Sequence, residues 1–82
     1  MAEPWQPKDR SKYAALFARL QQGFHDDERI HVDRVKGGGL RSRLERGAYV
    51  GLQGLRYHVE SHRTGDGRFD VYITVTGREE QP

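Results

Sequence analysis

The sequence predicts an α+β fold. One N-terminal helix packs on a small antiparallel sheet of three or four strands ending in a β-hairpin, with a short basic helix or arm after strand one. Three observations lead there. Residues 55–63 and 68–76 alternate apolar with polar side chains and are rich in β-branched and aromatic types, and they flank Thr64-Gly65-Asp66-Gly67. Tyr13, Leu16, Phe17 and Leu20 fall at i, i+3, i+4 and i+7, one apolar stripe of a helix. With 82 residues, 34% of them apolar, the chain can build one small core. Residues 1–82 therefore read as a single small domain, with 1–8 an irregular lead-in and 78–82 a disordered tail.

The lead-in holds Pro4, Trp5 and Pro7. The Trp5 indole is expected to fold back as a lid on the core, since so large a ring gains little from water. The helix is expected to start at Asp9 or Ser11, either of which suits a cap, and to run to Gln22. Gly23 then fits the left-handed position that closes many helices. Burying its four stripe residues contributes roughly 6–12 kcal/mol before chain entropy is subtracted. Such a helix needs a partner surface, and the hairpin supplies one.

Asp26-Asp27-Glu28 reads as a solvated turn, because no EF-hand spacing surrounds it. Strand one is expected at Arg29–Val35, with Ile30 and Val32 on one side and His31, Asp33 and Val35 on the other. Lys36-Gly37-Gly38-Gly39 follows as a hinge, and it matches neither the Walker nor the dinucleotide glycine pattern. Leu40–Arg46 makes a short helix or an extended arm. As a helix it turns Leu40 and Leu44 inward and Arg41, Arg43 and Arg46 outward, and Gly47 ends it. Tyr49–Leu55 is read as a bulged strand leading into the hairpin, weakened by Gly51 and Gly54.

The hairpin register follows from pattern. A two-residue Asp66-Gly67 loop would mix polar and apolar side chains on both faces. A three-residue Gly65-Asp66-Gly67 loop places Arg63 opposite Phe69, Ser61 opposite Val71, Val59 opposite Ile73 and Tyr57 opposite Val75. That gathers the apolar set on one face, and a one-residue slip would undo it. The loop needs positive φ at its last position, where Gly67 stands. The other face then carries Arg56, His58, Glu60, His62, Arg68, Asp70, Tyr72 and Thr74.

Composition narrows the function classes. There is no cysteine, which excludes disulfides and thiolate metal sites and accords with a reducing cytoplasm. No 18-residue apolar run and no apolar leader are seen, so neither a membrane-spanning helix nor a secretory signal is expected. Net charge is +2, but from Arg34 to Arg68 eight basic residues stand against three acidic ones, an excess of five. That asymmetry favours an anionic partner.

No nucleophile–base pairing and no carboxyl pair in an apolar setting can be argued, so enzymatic activity and a cofactor are not expected. His58, Glu60 and His62 share one strand face, at steps of about 6.6–7 Å. Zinc needs tighter convergence, and cross-strand pairing such as His62 with Asp70 is the expected role. No metal site is expected. The preferred reading is a non-enzymatic nucleic-acid-binding module. It uses the basic arm, through Lys36, Arg41, Arg43 and Arg46, and the polar hairpin face, through Arg56, His58, His62, Arg68 and Tyr72. The alternative is a small protein-binding or inhibitor chain of the kind that bacteria and their phages encode, dimerising through a sheet edge.

Overall fold

The structure, a computed structural model, describes residues 12–79. The order is helix α1 (Ala14–Gln22), strand β1 (Arg29–Val35), helix α2 (Gly39–Glu45), a 3-10 turn (Val50–Leu52), strand β2 (Leu55–Arg63) and strand β3 (Phe69–Arg78). The expected α+β fold is present. The sheet has three antiparallel strands in the order β1-β3-β2, so the last strand is the central one. Trp5, the lead-in, Asp9, Ser11 and residues 80–82 lie outside the described residues. Among the described residues no helix is long and apolar enough to cross a membrane.

Both helices cover one face of the sheet. Phe17 and Leu20 of α1, Leu40 and Leu44 of α2, and Leu52, Leu55, Val71, Ile73 and Val75 form the buried core. Tyr13 and Leu16 pack on it half-buried, completing the stripe read from sequence. Tyr13, Phe17 and Tyr49 meet edge to face or tilted, with centroids 5.4–6.1 Å apart. α2 ends as expected at Gly47, whose φ of 70° is left-handed. The Gly47 amide donates to the Leu44 carbonyl and the Ala48 amide to that of Arg43, a Schellman closure.

The hairpin has the register derived from pattern. Arg63 faces Phe69, Ser61 faces Val71, Val59 faces Ile73 and Tyr57 faces Val75. The Gly67 amide donates to the Thr64 carbonyl, the Thr64 amide donates to that of Arg68, and Gly67 sits at φ 82°. Any side chain there would be strained.

Four expectations need correction. α1 does not end on a left-handed glycine. Gly23 is extended at φ 175°, and its amide donates to the Arg19 carbonyl. The positive φ of that region falls on Asp27 (62°), inside the acidic turn. Tyr49–Leu55 is not a strand. Gln21 of α1 donates to the carbonyls of Gly51 (3.0 Å) and Gln53 (2.7 Å), and these long-range bonds hold the segment as a turn with Leu52 inward. β3 runs on to Arg78, which the tail assignment had taken. The Arg78 guanidinium donates to the Gln21 carbonyl and to its side-chain oxygen (3.2 Å), and it lies 5.5 Å from the Phe24 ring centre. Finally, β1 does not alternate simply. The register shifts between His31 and Asp33, so Val32 is an extra residue and Asp33 faces Val71. Asp33 and Val35 therefore join Ile30 on the helix side, and Arg34 joins His31 on the far side.

That bulge places the Asp33 carboxylate against α1. It accepts from the Tyr13 hydroxyl (2.6 Å) and pairs with the Lys12 ammonium (2.7 Å). The Lys12 and Tyr13 bonds hold its carboxyl down to about 2. Burial, then the Asp33 bond, pushes the Tyr13 phenol up to about 12. A depressed carboxyl stabilises the fold above its unfolded pKa and ceases to do so as pH falls through the folded value. Stability should therefore drop between about pH 4 and about pH 2 by on the order of 1–2 kcal/mol from this group. Asp33→Asn should flatten that limb in urea titrations at a series of pH values. In the core, Phe17→Ala should cost about 3–5 kcal/mol in the same measurement.

Candidate binding groove at the β2 edge

The face of the sheet away from the helices carries a closed polar network. Asp70 on β3 accepts from Arg34 Nε and Nη2 (2.9 and 3.1 Å) and pairs with the His31 ring (3.0 Å). Glu60 on β2 pairs with His62 (2.8 Å), and Arg29 of β1 lies 3.9 Å away across the central strand. Tyr72 sits between His31 and His62, whose rings meet it edge-on at 5.2 and 5.6 Å. The Arg29 guanidinium covers the Tyr72 ring at 4.4 Å. His62 and Asp70 are register neighbours, as expected, but they do not pair. Glu60, two residues along the same strand, takes the imidazole, and β1 takes Asp70.

The Arg34 guanidinium, then His31, hold the Asp70 carboxyl at about 2. Among the described residues, no group of three or more His, Asp or Glu side chains could hold a metal ion.

The sheet divides the residues singled out from sequence. His58, His62 and Tyr72 lie on the polar face by register. Arg41, Arg43 and Arg46 lie on the helix side, because Leu40 and Leu44 anchor α2 in the core. Arg41 is committed to Glu45 (2.7 Å) and to the Ser61 hydroxyl (3.1 Å), and Arg43 donates to the Tyr49 hydroxyl (3.1 Å). Lys36 is exposed in the bend between β1 and α2. Arg68 stands beside the hairpin loop, 3.8 Å from Asp66.

One place rejoins residues from both groups. Along the outer side of β2, an open groove of about 970 Å³ runs between the strand and the C-terminal end of α2. Arg46, Arg56 and His58 line it. Among the described residues, the Arg46 and His58 side chains make no hydrogen bond or ion pair, and Arg56 donates only to the Arg78 carbonyl (3.3 Å). Tyr49 and Tyr57 add two half-buried rings, and Leu52, Leu55 and Val59 add apolar wall. The Tyr57 hydroxyl donates to the Leu44 carbonyl (2.6 Å), which fixes that ring in the groove's lining. Two carboxylates also line it. Glu45 is held by Arg41, and the Glu79 amide donates to the Gly54 carbonyl.

Sequence reasoning missed the two tyrosines and the β1 part of the polar face. Tyr57 reads as core from its register, and half-burial is invisible to alternation. The placement of Arg29, His31 and Arg34 depends on strand order and on the bulge, neither of which leaves a local pattern. No family model, curated protein or solved structure matches the chain.

Replacing Arg34 by Ala should let the Asp70 carboxyl rise from about 2 toward its ordinary 3.8, as followed by carboxyl-carbon NMR. Because that carboxyl is depressed, its contribution to stability is present above the unfolded pKa and fades as pH falls through the folded one.

Proposed function

We propose that this chain is a non-enzymatic nucleic-acid-binding module, and that the β2-edge groove takes the phosphate backbone. The observation carrying this reading is that Arg46, Arg56 and His58 line one groove with no carboxylate bound to any of them among the described residues. An arginine already clasped by a carboxylate, as Arg34 is by Asp70, has little left for a phosphate. Arg46 keeps all its donors, Arg56 all but the one given to the Arg78 carbonyl, and the His58 ring has no partner among the described residues. Arg43 stands on the same helix side and Lys36 in the bend before α2, and both add attraction over a longer range, whereas Arg41 is already paired with Glu45. His62 and Tyr72 are tied into the polar network, and Arg68 stands near Asp66, so they contribute less.

Binding through phosphates releases counterions, so affinity should fall steeply between about 50 and about 200 mM salt. Anisotropy titrations of labelled generic oligonucleotides read this directly. The double variant Arg46→Ala, Arg56→Ala should lower the log–log salt slope by about 1.5 and leave the thermal midpoint nearly unchanged. No binding at about 50 mM salt sinks the reading.

A second reading rests on a different feature of the same strand. β2 has nine residues and no partner beyond β3 among the described residues, whereas the other edge is kinked by the Val32 bulge. An open edge of that length, with its own register shift against β3 confined to Arg56/Tyr57 at one end, pairs readily with a strand of a second copy. A concentration-dependent dimer in sedimentation velocity, without nucleic acid, supports that reading. A monomer throughout removes it.

A further inference from the structure

Resting on the nucleic-acid reading, we propose that the groove selects a single strand over a duplex, with Tyr49 and Tyr57 as the surfaces against which its bases stack. Proteins that hold single strands without reading sequence combine a cationic track with aromatic platforms. The groove contains both parts. Arg46 and Arg56 supply the charge of the track, and His58 and the two tyrosines line the same groove.

Duplex recognition asks for other equipment. A helix or ribbon has to project into a groove of the duplex. α2 is seven residues long and lies flat, with Leu40 and Leu44 fully committed to the core. The hairpin tip carries Asp66 beside Arg68, and its Thr64 and Asp66 side chains are bonded to each other. A rigid duplex laid across the groove would meet Glu45 and Glu79, which line it together with the two arginines. A single strand can keep its phosphates toward Arg46, Arg56 and His58. Its unpaired bases then turn toward Tyr49, Tyr57 and the apolar wall, which paired bases cannot reach.

The Tyr57 ring is pre-positioned for this by its hydroxyl bond to the Leu44 carbonyl. Tyr49 is braced by Phe17, 5.4 Å away, and by the Arg43 bond to its hydroxyl. Rigid rings lose little freedom when a base settles on them. Stacking of this kind tolerates every base, so the selection is for unpaired structure and not for sequence.

The experiment uses the wild-type chain and three probes of about twelve nucleotides at one salt concentration: a single strand, the same strand in a duplex, and a single strand with abasic sugars throughout. The single strand should bind about tenfold tighter than the duplex and about tenfold tighter than the abasic strand, which has the same phosphates but nothing to stack. Equal affinity for the intact and abasic strands overturns the stacking role. A duplex that binds as tightly as the single strand overturns the selectivity, while leaving the phosphate reading in place. Failure of all three probes at low salt overturns both readings. As a second measure, Tyr57→Phe, which keeps the ring but loses the bond to Leu44, should weaken binding by about twofold, and Tyr57→Leu should lose about tenfold, each for the intact single strand only. If Tyr57→Leu fails to fold, the abasic comparison decides alone.

Discussion

β3 is the element on which everything else depends. It is hydrogen-bonded on both sides, and Val71, Ile73 and Val75 have no exposed surface. A chain of this size buries only about 60–65% of its unfolded surface, so no second core can compensate for a loss there. Those three residues belong to the one core into which the other elements pack. α1 delivers Phe17 and Leu20, α2 delivers Leu40 and Leu44, and the two flanking strands close the backbone of β3. The helices end up on one face because the apolar side chains of β3 are all there.

That constraint leaves two surfaces for function, and they differ in electrostatics. On the open face, the carboxylates of β3 and β2 answer the arginines and histidines of β1 and β2. The network spans all three strands and braces the sheet, with Tyr72 as its hub. Exposed pairs of this kind contribute little singly, and their value comes from geometry held by several partners. The β2 edge is different. There the sheet ends, α2 ends with it, and cations from each meet without carboxylate partners of their own. Under the proposed function, the groove's two arginines, free of bound carboxylates, and its fixed rings face an anionic chain, whereas the charges of the open face are already answered by partners.

Much of the architecture was legible because it rests on short-range rules. Alternation and the Gly-Asp-Gly loop determine the hairpin register residue by residue. Helical spacing finds Tyr13, Leu16, Phe17 and Leu20, and the i, i+4 spacing of Leu40 and Leu44 finds α2. The failures share a cause. Gly23, the Val32 bulge and the 3-10 turn at Val50–Leu52 are decided by bonds between distant residues, such as Gln21 to Gly51 and Tyr13 to Asp33. Local propensity has no term for them. The candidate site was half legible for the same reason. Arg46, Arg56 and His58 were named from charge and alternation. Their meeting along one groove, and the separation of His62 and Tyr72 from α2, follow from which face of the sheet each element occupies.

The central claim is that the working surface is the β2 edge and not the open face. Backbone amide NMR, followed while a short unlabelled single strand is added, tests it most directly. The account predicts shifts concentrated in residues 44–59, with the amides of His31, Asp70 and Tyr72 almost unmoved. Shifts centred on His31, Asp70 and Tyr72, with a silent groove, would contradict it.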